Sequence, residues 1–250
     1  MEIPQEILEI DNQVAAGQIT RMLELAKREK RPVALIVRKG TFKKYTKQEY
    51  EQNQSSLTRE QSIAQVAASS PLDAVIVTST GHISRELYEY HELEGQDHEK
   101  DFLTVGSMGH ASQIALGIAL ADPTRSVYCL DGDGALLMHL GAMPLIGQSR
   151  CHNMRHIVLN NGVYGSIGGQ PTGALNLSFV EIAKACGYHS ARSVEDLSTL
   201  KKELIKLNEI RGPSFLEIRV SRSFRKDLGR PKTAPAENKE AFMIYLNRKH

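Results

Sequence analysis

The chain has 250 residues, enough for one domain with a sizeable core and an additional piece. Apolar residues make up 41% and charged residues 24%, ordinary proportions for a globular protein. A formal net charge of +2 is too small to recruit nucleic acid or a membrane surface, and no run of about 18 apolar residues could span a bilayer.

Residues 12–30 read as an amphipathic helix, with Val14, Ile19, Met22, Leu23 and Ala26 near helical spacing. Pro32 ends it, and the apolar run 33–37 has the character of a buried strand. Residues 43–57 are polar and aperiodic, which predicts a linker. Thr58 and Gln61 then form a capping box for a helix to about Ser69. Beyond it, strands at 74–79, 102–106, 126–130, 156–160 and 215–220 are interleaved with helices. These begin near Ser84 and cover 110–121, 135–148, 178–186 and 195–209. The alternation predicts an α/β fold, a parallel β-sheet sandwiched by helices. A basic, proline-containing tail at 221–236 leads into a last helix at about 237–248. One helix and one strand cannot bury their apolar faces alone. Residues 1–42 are therefore expected to be the remnant of an upstream domain, and 58–250 the main domain. Cys129, Cys151 and Cys186 are odd in number and lack metal spacing, and the acidic N-terminus has no signal-peptide pattern. A reduced, cytoplasmic setting is expected.

The chemistry concentrates between Asp131 and Asn161. Gly132-Asp133-Gly134 follows one β-like run, and Asn160-Asn161 follows the next, with a helical stretch between them. Two oxygen-bearing motifs at the exits of two strands suit Mg²⁺, which takes a few ligands from protein and the rest from phosphate and water. The flanking glycines allow close backbone approach, and a helix beginning near Ala135 offers free N–H groups to an anion. A dinucleotide fingerprint does not fit, because Leu137 stands where its third glycine belongs.

This order and spacing resembles the cofactor signature of thiamine diphosphate enzymes. The resemblance implies Asp133, the Asn161 side chain and the Val163 carbonyl as Mg²⁺ ligands. Further stretches at 78–87, 104–120, 160–173 and 227–243 are similar to the phosphonopyruvate decarboxylase family, as is 31–42, which looks like the last strand of that family's first domain. The similarity covers nearly the whole chain, and sulfopyruvate decarboxylases are the nearest relatives to confuse with it. The resemblance implies a carboxy-lyase acting on 3-phosphonopyruvate, a 2-oxo acid, to give phosphonoacetaldehyde and CO₂. The alternatives are a sulfopyruvate decarboxylase β-type subunit or a non-catalytic cofactor-binding half.

The same resemblance assigns Thr80, Gly81 and His82 to a diphosphate-side loop, and Gly106, Ser107 and Met108 to the cofactor. The Gly106 carbonyl would accept from the 4′-amino group, and Met108 would lie beneath the thiazolium. Gly132, Gly134 and Ala135 complete the cofactor set around Asp133. Arg85, Gln170 and Arg230 are candidates for the substrate and its anionic group, with Arg222 and Arg225 competing for the same role. The glutamate that activates the cofactor in such enzymes has no match here, and its expected place is upstream of residue 1. A homo-oligomer or a partner chain carrying a pyrimidine-binding domain is therefore expected.

Overall fold

The structure, a computed structural model, describes residues 3–43, 55–223, 225 and 227–248. They fall into two compact units, Met1–Tyr50 and Glu51–His250. The linker expected at 43–57 lies mostly outside the described residues.

In the first unit, β1 (Gln5–Ile7) and β2 (Ala34–Ile36) pair in parallel, joined by α1 (Asn12–Glu29). Asp11 caps α1 by accepting from the amides of Gln13 and Val14. Lys30 ends it in the left-handed region. Gln18 ties the helix to the strand segment, donating to the Ile7 carbonyl at 2.8 Å and accepting from the Glu9 amide at 2.9 Å. Among its described residues only Leu8, Gln18 and Met22 are buried, while Ile10, Val14, Leu23 and Phe42 stand exposed. The short strand β1 was not legible, because three residues cannot display a period.

The second unit is built on a six-stranded parallel sheet of order β4-β3-β5-β6-β10-β9. In chain order its early elements are α2 (Arg59–Ser69), β3 (Val75–Thr78), α3 (His82–Glu94), β4 (Asp101–Leu103) and α4 (Ala111–Ala121). Then follow β5 (Val127–Gly132), α5 (Asp133–Met138), α6 (Met143–Gln148) and β6 (Met154–Asn160). A small antiparallel pair, β7 (Val163–Tyr164) and β8 (Gln170–Pro171), comes next. It precedes α7 (Phe179–Ala185), β9 (Ser190–Val194), α8 (Leu197–Glu209), β10 (Ser214–Arg219) and α9 (Pro235–Leu246). The capping box of Thr58 and Gln61 is formed as the sequence indicated.

Central strands β3, β5 and β6 are buried along almost their whole length, as sheets covered on both faces require. One apolar cluster includes Val75, Val77, Cys129 and Val158 with Ala115, Phe179 and Phe242. The other includes Ile76, Leu130, Ile157 and Ile218 with Ile63, Leu87 and Leu204. Alternate side chains of the same strands thus feed two cores.

Three expectations are corrected. The run 33–37, expected as a buried strand, forms the short β2 with Ile36 and Val37 exposed, because a two-stranded sheet covers little of it. The helix expected at 135–148 is two helices, because His139 leaves the helical region and Pro144 begins a new segment, where its missing N–H costs nothing. Between the helices expected at 178–186 and 195–209 lies β9, an edge strand whose polar sequence, SARSV, hides it.

Candidate active site

Strand order reverses beside β3: the chain goes from β3 to β4 on one side, then returns to β5 on the other. In open α/β sheets, ligands bind outside the carboxyl ends of strands at such a point. The register pairs Thr78 with Leu130 and Gly132 with Leu159. Ser79–Thr80, Asp133 and Asn160–Asn161 therefore leave neighbouring strands along one edge of the sheet. A cleft opens there, lined by Thr80, His82, Met108, Asp133, Asn161 and Tyr164 among others.

Asp133 is the first residue of α5 and only 3% exposed. Burial pushes its carboxyl up to about 6, although hydrogen bonds from the Thr172 hydroxyl and the Asn161 amide oppose the shift. The Thr172 hydroxyl donates to it at 2.5 Å. The carboxyl is thus short of positive charge, a deficit that a divalent cation would supply. The two asparagines divide their work. Asn160 faces the interior, donating to Glu217 at 2.7 Å and accepting from the Gly162 amide at 3.1 Å. Asn161 lines the cleft, and its Oδ1 accepts from the Val163 amide at 3.1 Å, leaving a second lone pair.

Glycine is required at Gly134, where a Cβ would lie 2.3 Å from the Tyr164 ring, and at Gly109. At Gly109 a Cβ would meet the His139 ring at 2.3 Å and the Ala135 carbonyl at 2.8 Å, with φ at +89°. This close approach seats the 106–109 loop on the start of α5. The Gly106 amide donates to the Thr80 hydroxyl at 3.0 Å, joining that loop to the exit of β3. Asp131 braces β5 from below. It accepts from the Gly132 amide at 2.9 Å, with His156 Nε2 3.5 Å away and Tyr188 bonded to the other ring nitrogen at 2.9 Å.

Thr80, His82, Met108, Gly132, Asp133, Gly134, Ala135, Asn161 and Val163 all border the cleft. Gly81, Gly106 and Ser107 lie in the same two loops without lining it. Half-burial, with Arg59 and Arg85 nearby, holds the His82 imidazole down to about 4, so it is neutral at pH 7.

The substrate candidates fare differently. Arg85 does not line the cleft. Its guanidinium donates to the carbonyls of Leu228 and Gly229, so it clasps the tail rather than presenting a free fork. Glu89, one turn on, accepts from the Gly229 amide and from Arg225. Gln170 and Arg230 are exposed and outside the cleft lining.

Sequence reasoning missed Thr172 and Arg59. Thr172 lies within the quoted 160–173 stretch but carries no spacing signal. Arg59 reaches the cleft from the first turn of α2, and only tertiary structure reveals that.

Comparison with known proteins places the chain in a family. Residues 79–218 match the family described as thiamine pyrophosphate enzyme, C-terminal TPP binding domain. Phosphonopyruvate decarboxylase of Streptomyces viridochromogenes is 36% identical over 189 residues, 76% of this chain and 46% of that protein. The sulfopyruvate decarboxylase subunit beta of Methanocaldococcus jannaschii is 39% identical over 130 residues, 52% of this chain and 65% of that one. The chain spans less than half the length of the Streptomyces relatives it matches. The solved structure of benzoylformate decarboxylase from Polynucleobacter necessarius superposes with a TM-score of 0.58 at 19% identity, covering 71% of this chain and 36% of the other, a likeness of fold. By the match over more than half its length, the chain belongs to the thiamine pyrophosphate enzymes and carries their C-terminal TPP-binding domain.

Proposed function

We propose that this chain provides the diphosphate- and Mg²⁺-binding half of a decarboxylase that converts 3-phosphonopyruvate to phosphonoacetaldehyde and CO₂. The observation that carries the reading is the buried Asp133 carboxyl, short of positive charge, beside Asn161 at the switch point of the sheet. The chemistry of the donor set fits both groups: one carboxylate, one amide oxygen and the Val163 carbonyl are hard oxygen ligands of the kind Mg²⁺ takes alongside phosphate oxygens. Thiamine diphosphate, when bound, would supply the electron sink for loss of CO₂.

The chain's own residues bind and orient. Asp133, Asn161 and Val163 would hold the cation. Thr80 and neutral His82, which carries one N–H, would donate to the diphosphate. Met108 would support the thiazolium, and Tyr164, packed against Gly134, would close one wall. The 36% identity to phosphonopyruvate decarboxylase favours a phosphonate substrate. Sulfopyruvate is the second reading, supported by the 39% identity to a β subunit of which this chain covers 65%. That relative is named as a subunit, which supports a partner chain here as well.

Titration calorimetry with thiamine diphosphate tests the cofactor site. In the assembled enzyme, binding should require Mg²⁺, and Asp133→Ala should abolish it. Asn161→Ala should weaken it less, because a neutral ligand is lost. Unchanged affinity in Asp133→Ala would sink the metal assignment. Competition between phosphonopyruvate and sulfopyruvate in the assembled enzyme decides the substrate.

A further inference from the structure

Arg59 is 5% exposed and lines the cleft, yet belongs to no motif of the cofactor signature. Its Nε donates to one carboxylate oxygen of Glu86 at 2.7 Å and its Nη2 to the other at 2.6 Å. Glu86 is itself 3% exposed and stands one helical turn beyond His82 on α3. The bidentate fork fixes the guanidinium plane. Nη1 is left without a protein partner among the described residues, and it is not one of the buried polar atoms sealed from solvent. An arginine held on one edge by a buried carboxylate, with the other edge open to a cleft, is a preorganised receptor for a phosphoryl oxygen.

Its surroundings point to the same ligand. Arg59 acts electrostatically on His82, which places its charge beside the loop that leaves β3. The two phosphates and Asp133 together carry more negative charge than one Mg²⁺ neutralises. The cleft lining also includes the Ser79 and Thr80 segment and the glycine-bearing Gly132–Ala135 turn, all suited to oxyanions.

We propose that Arg59, positioned by Glu86, binds the diphosphate of the cofactor through Nη1. The inference rests on the cofactor reading above. Removing Arg59 alone would strand Glu86 as a buried unpaired charge and endanger folding. Arg59→Lys avoids this, because one ammonium can keep the pair with Glu86 but has no second nitrogen to offer the phosphate. Arg59→Met/Glu86→Leu removes both charges together.

The probe is inorganic pyrophosphate with Mg²⁺, titrated into the 250-residue chain, with thiamine monophosphate and phosphonopyruvate as comparison ligands. Both variants should keep the parent melting temperature to within a few degrees and lose about tenfold in pyrophosphate affinity, with a smaller loss for thiamine monophosphate. Pyrophosphate affinity within twofold of the parent in Arg59→Lys overturns the proposal. So does a loss confined to phosphonopyruvate, which would move Arg59 to the substrate's phosphonate. Absence of Mg²⁺-dependent pyrophosphate binding in the parent chain would instead overturn the cofactor reading, and this inference with it.

Discussion

Asp133 is costly to fold around and useful once a cation arrives. Its carboxyl sits near 6 in the folded chain, against an ordinary value of about 3.9, because burial disfavours the ion. Between those two values the folded state keeps a proton that the unfolded state has released. Stability of the metal-free chain therefore falls as pH rises through this window and stays lower above it. Asp133→Asn removes that penalty. At pH 8 without metal it should raise stability by roughly 2 kcal/mol, discounted from the full linkage value for local relaxation. At pH 4 the advantage should vanish, and Mg²⁺ with pyrophosphate should no longer raise the melting temperature. Chemical denaturation at the two pH values checks this, and equal stability of parent and variant at pH 8 would show that Asp133 is better solvated than its 3% exposure indicates. Gly109 makes a second residue-scale case. Gly109→Ala must both hold a positive φ and push back the His139 ring and the Ala135 carbonyl. It should cost about 2 kcal/mol or more, and because Ala135 lies in the first turn of α5, two residues after Asp133, it should also weaken cofactor binding. The carboxylate was legible in the sequence, since its chemistry dictates its identity, but the need for glycine at 109 was not, because it arises from contacts with His139 and Ala135 that no local pattern contains. Arg59 was not, because an arginine in the first turn of a helix looks the same whether it faces solvent or a cleft.

Helix α3 serves several tasks along its length, and this explains what the sequence concealed about Arg85. His82 faces the cleft, Glu86 holds Arg59, and Arg85 with Glu89 clasps Arg225, Leu228 and Gly229. An exposed-looking arginine near a phosphate loop is a reasonable substrate ligand until the tail is seen to occupy its donors. At the far end of the helix, His91 Nδ1 bonds Asp101 at 2.6 Å, and His98, stacked on Tyr88, has Glu92 at 2.9 Å and Asp101 at 3.8 Å. The Asp101 carboxylate first, and Glu92 after it, raise the His98 imidazole above its ordinary value, against the opposing effect of burial. A raised histidine stabilises the fold fully below the unfolded value of about 6.5, and the gain is lost as pH rises through the folded value. The part of the melting temperature that declines above about pH 6.5 should flatten in His98→Gln. A parent and variant with parallel pH profiles would assign the decline elsewhere. Periodicity revealed α3 itself, but not which of its polar residues are buried, because burial of a charge depends on a partner that the local pattern does not contain.

The two units differ in how well they bury their own apolar surface. The Glu51–His250 unit has a sheet with strands covered on both faces, whereas the Met1–Tyr50 unit exposes Ile10, Val14, Leu23 and Phe42 around a two-stranded sheet. Such a sheet is marginal on its own. The parallel sheet was legible from its alternating strands and helices, but a three-residue strand such as β1 is visible only through its partner. We propose that this exposed surface belongs against a pyrimidine-binding domain, and the content of the cleft argues the same way. Among the described residues lining it, Asp133 is the carboxylate, and a cation would take it. Glu86 is near, but both its oxygens are held by Arg59. Among the described residues lining the cleft, no glutamate remains to face the pyrimidine of the cofactor and activate it. The chain should therefore bind thiamine diphosphate and Mg²⁺ weakly and release no CO₂ from phosphonopyruvate at an enzyme-like rate. Adding a pyrimidine-binding domain from a phosphonopyruvate decarboxylase should restore turnover. In the same mixture, hydrogen exchange of α1 amides should slow, since α1 carries the exposed apolar face, while β3, β5 and β6 should already be protected in the chain alone. Turnover by the chain alone would refute the division of the site, and turnover restored without slower exchange in α1 would place the docking surface elsewhere.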